Sequence, residues 1–137
     1  MTSPMLLVDT NIVSYLMRGG ELARLYAPHL QKRFPAIAFI TVGELYYGVE
    51  KKRWGASKRQ QLEMTLRHFV EIPSDRETAQ CYGRLVAGRE RLGHPISSAD
   101  AWIAACAIRY RLPLVTHNAP DFLDIPELQI ITEYKTA

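Results

Sequence analysis

Met5-Leu6-Leu7-Val8 is an unbroken apolar run that ends on an acid, Asp9. A strand with one wet face alternates apolar and polar residues, whereas a run that is apolar throughout suits a strand covered on both faces. Strands of that kind belong to parallel sheets, whose connections are helices packed on the sheet. The rest of the chain supplies the helices. Ile12 to Met17 reads as a helix stopped by Gly19-Gly20, and a second helical pattern places Leu22, Leu25, Tyr26, Leu30 and Phe34 on one face. Pro28 is a point where that helix can kink. Ala36 to Ile40 is the next buried strand, followed by helix over Val42 to Lys52 and again over Lys58 to Phe69, after the break at Gly55. Val70-Glu71-Ile72 forms a short strand. Ala79, Tyr82, Leu85, Val86 and Leu92 give helical spacing from Thr78 to Leu92, ending at Gly93. Ala99 to Tyr110 is an apolar helix, Leu114-Val115 a strand, Asp121 opens a short turn or helix, and Gln129 to Thr132 is the last strand. The expected fold is α/β, with a mostly parallel central sheet and helices on both faces.

The 137 residues are expected to form one domain, 1–137, and 47% hydrophobic against 23% charged residues predicts a packed core rather than disorder. The start, MTSPMLLVDTN, has no basic flank and too short an apolar run for a signal peptide. The longest apolar stretch, Ala101 to Ile108, falls far below the ~20 residues that span a bilayer. Cys81 and Cys106 each sit inside a helical pattern and are expected to be buried thiols, not a disulfide or a metal site. A cytoplasmic location follows as an expectation.

Parallel sheets bind ligands beyond the carboxyl ends of their strands, so the residues just after each strand carry the functional information. Asp9-Thr10-Asn11 follows the first strand, Thr41-Val42-Gly43-Glu44 the second, and Thr116-His117-Asn118-Ala119-Pro120-Asp121 follows Leu114-Val115. Asp100, in Ser97-Ser98-Ala99-Asp100, opens the most apolar helix. Each acid has a structural explanation. Thr41…Glu44 and Ser97…Asp100 have capping-box spacing, Asn118…Asp121 resembles it, and Asp9 can begin a turn. Capping explains each acid separately and does not predict that all four converge. Clustered carboxylates repel unless a cation intervenes. Mg²⁺ or Mn²⁺ supplies that charge with a preference for oxygen ligands, and nearby helix N-termini favour a phosphate. The chemistry suggested is metal-assisted phosphodiester hydrolysis, with one ion activating water and a second stabilising the leaving oxygen. No serine or cysteine nucleophile constellation, Walker motif or dinucleotide glycine motif competes, and His29, His68, His94 and His117 lack zinc spacing. His117 reads as a loop residue rather than a catalytic base.

Taken in order, four motifs resemble those of PIN-domain ribonucleases, in particular the VapC-type toxins of bacterial toxin–antitoxin pairs. They are Leu6-Leu7-Val8-Asp9-Thr10-Asn11, Thr41-Val42-Gly43-Glu44-Leu45-Tyr46-Tyr47-Gly48, Gly93 to Ala105 around Asp100, and Thr116 to Phe122 around Asp121. The resemblance covers nearly the whole chain. It implies a three-layer α/β/α sandwich, Mg²⁺- or Mn²⁺-dependent endonucleolytic cleavage of RNA, a homodimer, and inhibition by a small antitoxin encoded beside it. By the same resemblance Asp9 and Asp100 match the principal metal ligands, and Glu44 and Asp121 the other two acids. The fourth acid, here Asp121, varies in role across the family. Asn11, Thr116 and Asn118 match polar positions that orient ligands or water.

Charge is compatible with a polyanionic substrate. Seventeen bases face fourteen acids, a net +3; with the four acids set aside around metal, ten acids face the seventeen bases, an excess of seven. Lys51-Lys52-Arg53 and Lys58-Arg59, with Trp54 between them, would suit a phosphate-tracking edge with an aromatic for base stacking. Helix C-termini and ordinary solvated surface account for the same cations. Arg84, Arg89 and Arg91 stand out no better, and Tyr46, Tyr47 and Tyr82 suit packing or a dimer face. Two readings from other classes compete. A receiver-type phosphoacceptor wants an Asp after the third strand, where Val70-Glu71-Ile72-Pro73 offers none at the strand end, with Asp75 nearby; the Lys it wants after the fifth strand has its counterpart in Lys135, close to the terminus. A catalytically silent binding module would use the acids as caps alone. A DNA-directed nuclease would share the same four acids.

Overall fold

The computed structural model describes residues 5–31, 33–53 and 55–135. Along the chain run β1 (Met5–Val8), α1 (Thr10–Arg18), α2 (Glu21–Leu30), β2 (Phe34–Ala38), α3 (Phe39–Lys51), α4 (Ala56–Leu66), β3 (Val70–Ile72), α5 (Arg76–Arg91), α6 (Ser98–Tyr110), β4 (Leu114–Val115), a 3-10 turn (Ala119–Phe122) and β5 (Ile130–Ile131). The strands form one sheet in the order β3-β2-β1-β4-β5, and every pairing is parallel. β1 is central, which is why Leu6, Leu7 and Val8 are fully buried.

Alternate β1 residues face opposite layers. Leu7 packs with Ala36, Ala38 and Ile72 against α5 and α6, among Leu85, Ala104 and Cys106. Leu6 and Val8 pack with Ile37 against α1 to α4, among Ile12, Tyr26, Leu45, Val49 and Leu62. Helices on both faces give the three-layer α/β/α sandwich. Cys81 and Cys106 are buried free thiols, and burial pushes the Cys106 thiol up to about 12. Among the described residues no helix is long and apolar enough to cross a membrane.

Several boundaries differ from the sequence reading. Phe34 does not extend α2; it opens β2 and is exposed. Pro28 lies in the last turn of α2, and the chain turns extended at Gln31. The strand expected over Ala36 to Ile40 ends at Ala38, and Phe39 and Ile40 begin α3. Between α1 and α2, Gly19 and Gly20 take φ of +72° and +100°, a backbone region that favours glycine and lets the chain reverse. The sheet order also separates this fold from receivers, whose order is 2-1-3-4-5. Here β3 is an edge strand beside β2 and does not neighbour β1.

Candidate active site

The register of the central strands builds the floor of the site. Val8 lies opposite Val115 in the parallel β1–β4 pair, so the next residues, Asp9 and Thr116, leave the sheet side by side. The Asp9 amide donates to the Val115 carbonyl at 3.1 Å. Asp9 is 4% exposed, and both its oxygens are used. Oδ1 accepts from the Ile12 amide at 3.0 Å, capping α1, and Oδ2 accepts from the Thr116 hydroxyl. Thr116 Oγ1 in turn accepts from the Asn118 amide at 3.0 Å.

Glu44 arrives differently from the expectation. Thr41 does not cap α3; Ala38 holds the cap position with no side-chain bond, and Thr41 is buried in the first turn. Glu44 therefore sits in the second turn, not at a helix start. It joins the cluster through Thr10, whose hydroxyl donates to Glu44 Oε1 at 2.6 Å and lies 3.0 Å from Thr41 Oγ1. Asp100 follows the capping expectation in part: the Asp100 amide donates to Ser97 Oγ at 3.2 Å, which caps α6. Asp121 lies in the 3-10 turn, where Asn118 makes no side-chain cap bond.

Two of the acids, Asp9 and Asp100, are shifted, and in both the charge of a neighbouring acid contributes. Burial raises the Asp9 carboxyl above its ordinary value; the charge of Asp100 adds to this, against the bonds from Thr116 and the Ile12 and Asn11 amides. Asp100 is raised first by burial, then by Asp121 and Glu44, while Ser97 and Arg89 pull the other way. Asp100 thus links the acids: it lies in the field of Asp121 and Glu44, and its own charge acts on Asp9. Capping accounts for Asp9 Oδ1 and for Ser97; it leaves Oδ2, Glu44 and the mutual repulsion unexplained. Asn11 is exposed and lines a groove of about 230 Å³ with Thr10, Glu44, Ser14, Arg18 and Lys52.

The donor set is oxygen throughout, which suits a hard divalent cation. Among the described residues, no three His, Cys, Asp or Glu side chains are placed to hold an ion together. Mg²⁺ typically takes one or two carboxylates and keeps several waters, so the arrangement fits a hydrated ion rather than an all-protein cage.

Other residues singled out by the sequence have structural partners. His117 Nδ1 lies 2.6 Å from the buried Tyr26 hydroxyl, which also accepts from the Glu133 amide at 2.9 Å. Tyr15, Tyr26 and Tyr134 pack roughly perpendicular to the His117 ring. Tyr82 stacks on Trp102 with ring centroids 4.0 Å apart. Asp75 caps α5 and pairs with Arg109, so it is not an open phosphoacceptor. In the basic segment Arg59 pairs with Glu50, and Lys51 lies 5.8 Å from the Tyr47 ring centre. Trp54 falls outside the described residues.

Sequence reasoning passed over two residues that contact the segments carrying these acids. Thr10 sat unremarked inside the first motif. Arg89 stands out from the sequence no better than Arg84 and Arg91, yet it is buried. The buried face of α5 is Thr78, Cys81, Leu85 and Arg89, spaced at three, four and four residues. The signal was that spacing, masked because an arginine in it reads as solvent-facing.

A sequence model of the PIN domain matches residues 6–128. Ribonuclease VapC of Rickettsia bellii is 31% identical over 131 residues, covering 93% of this chain and 95% of that protein. Ribonuclease VapC1 of Haemophilus influenzae is 27% identical over 127 residues, covering 90% and 93%. Among solved structures, VapBC2 from Rickettsia felis, bound to a DNA fragment from their promoter, matches with a TM-score of 0.84 at 27% identity, over 93% of this chain and 98% of that one. VapBC-1 from nontypeable Haemophilus influenzae gives 0.78 at 25% identity, over 93% and 97%.

Proposed function

This chain belongs to the PIN-domain family, within its VapC ribonucleases, and from that premise we propose that it is a metal-dependent endoribonuclease serving as the toxin of a toxin–antitoxin pair. The observation that carries the reading is Asp9, a buried carboxylate in the field of Asp100, which itself feels Glu44 and Asp121. Such a cluster is intelligible as a cation site facing a phosphodiester.

In this reading Asp9, Asp100, Glu44 and Asp121 would hold a hydrated Mg²⁺ or Mn²⁺, one or two of them directly and the others through its waters. When bound, the ion supplies an activated water and charge neutralisation at the scissile phosphate. Thr116 fixes the orientation of Asp9, and Thr10 fixes that of Glu44. Asn11 and Asn118 are placed to orient water or substrate near the acids. The substrate is RNA, met in the cytoplasm. The partners are a second copy of the chain and a small antitoxin that blocks the cleft by setting a cation among the acids.

The test is cleavage of single-stranded or loop RNA by purified, antitoxin-free protein with Mg²⁺ or Mn²⁺, beside the same sequence as DNA. Cleavage of the RNA that disappears in EDTA supports the proposal. Undiminished cleavage in excess chelator removes the mechanism, and equal cleavage of the DNA removes the substrate assignment.

A further inference from the structure

Among the described residues, two charged side chains are buried: Asp9, at 4% exposure, and Arg89, at 7%. Asp9 belongs to the acid cluster. Arg89 takes part in none of the ion pairs among the described residues. Its guanidinium instead donates to three backbone carbonyls, from Nε to His94 at 2.7 Å and from Nη1 to Leu123 at 2.9 Å and Asp121 at 3.2 Å. A buried cation that touches no carboxylate, and meets the charge of Asp100 only at longer range, is costly and persists only where its donors are well satisfied.

The three carbonyls belong to two separate segments. His94 starts the loop that ends at Ser97, the cap of α6, and α6 delivers Asp100. The bond is reinforced in the opposite sense, since the His94 amide donates to the Arg89 carbonyl at 2.9 Å. Asp121 and Leu123 bracket the end of the 3-10 turn. One planar fork therefore ties together the segments that carry Asp100 and Asp121, and Arg89 lines a cavity of about 230 Å³ with both acids. The two carboxylates repel each other, so their spacing has to be imposed by the backbone beneath them.

We propose that Arg89 is a positioning residue: by gripping the carbonyls of His94, Asp121 and Leu123 it sets the spacing of Asp100 and Asp121 at which both serve one divalent cation. The inference rests on the metal-site reading above. Its physical content is the fork, not the charge alone. A cation behind a metal site lowers the negative potential that attracts the metal, so charge by itself would make Arg89 a hindrance. Only its geometry favours the ion.

The experiment is calorimetric titration of Mn²⁺ into the full-length, antitoxin-free protein, for the wild type, Arg89→Lys and Arg89→Met. Lysine keeps the charge but lacks the planar fork. Residues that orient metal ligands typically cost 10–100-fold in affinity when replaced, so both variants are expected to bind Mn²⁺ about tenfold more weakly or worse. Tighter binding by Arg89→Met with Arg89→Lys unchanged would make Arg89 a mere counter-charge and overturn the proposal. A folded Arg89→Lys that binds like the wild type also overturns it. If neither variant folds, the wild type still decides the matter by NMR. The Arg89 Nε proton is expected to be protected from exchange in EDTA as fully as in Mg²⁺. Protection that arises only with the ion would show that Arg89 follows the site rather than sets it. A wild type that takes up no Mn²⁺ rejects the metal reading itself, whereas wild-type uptake matched by Arg89→Lys rejects the positioning role alone.

Discussion

Asp9 spends one carboxylate oxygen on the Ile12 amide and the other on the Thr116 hydroxyl, and it remains raised above its ordinary carboxyl value because burial and the charge of Asp100 outweigh those bonds. The sign of the consequence follows. A carboxyl held above its ordinary value of 3.8 stabilises the folded state fully below that pH and loses the contribution as pH rises through the folded value. At pH 7 the ionised carboxylate is a liability in the metal-free protein. Asparagine keeps the shape and the acceptor for Ile12 while removing the charge. Asp9→Asn is therefore expected to abolish cleavage and to stabilise the protein in EDTA at pH 7 by roughly 1 kcal/mol, or about 3 °C in Tm. The gain shrinks as pH is lowered through the raised folded value, where Asp9 itself takes up a proton. Saturating Mg²⁺ reverses the order, because the wild type binds the ion better. Thermal unfolding with and without EDTA checks this; a variant several degrees less stable in EDTA would show that the cap to α1 dominates.

At the scale of elements, α5 and α6 form one layer, and Asp75 ties them. Its Oδ1 accepts from the Thr78 amide at 2.8 Å and the Thr78 hydroxyl at 2.7 Å, and its Oδ2 accepts from Arg109 on α6 at 3.0 Å. Arg109 foremost, then Thr78, holds this carboxyl well below the usual range. The sign is opposite to that of Asp9: the stabilisation is present above 3.8 and is lost as pH falls below it. Asp75→Asn should lower Tm at pH 7, with the two proteins converging as acid titrates the wild type. Parallel melts at stepped pH between 7 and 2 measure the difference, and a gap that stays constant across that window would remove Asp75 from the account. The same scale shows where element boundaries were unreadable. Ala36-Ile37-Ala38-Phe39-Ile40 is apolar throughout, and α3 starts on Ala38 without a polar cap. Nothing in that run marks the change from strand to helix.

For the whole molecule, the sandwich leaves an apolar stripe uncovered on α3. Phe39 is 66% and Tyr47 62% exposed, with Gly43 between them at helical spacing. This stripe is a self-complementary candidate for the proposed homodimer. Tyr47→Lys is expected to shift the mass in solution from dimer to monomer at micromolar concentration while leaving Mn²⁺ affinity unchanged. A wild type that is monomeric across that range removes the dimer, and a Tyr47→Lys protein that stays dimeric moves the interface elsewhere.

The amino-acid sequence by itself determined the layered plan. Apolar runs at Met5–Val8 and Leu114–Val115 and helical spacing between them are local patterns with periods that short segments carry in full. It also determined that Asp9 and Asp121 follow the apolar runs of β1 and β4, because chain order alone states it. Tertiary structure decided how they meet. Thr116 reaches Asp9 across 107 positions because β1 and β4 pair in one register, and Glu44 enters from a second helical turn through Thr10. Arg89 meets the backbone beneath Asp100 and Asp121 because the packing of α5 turned it inward toward the carbonyls of two loops. Register between distant strands and the facing of a helix depend on what packs against them, and no window of sequence contains both partners.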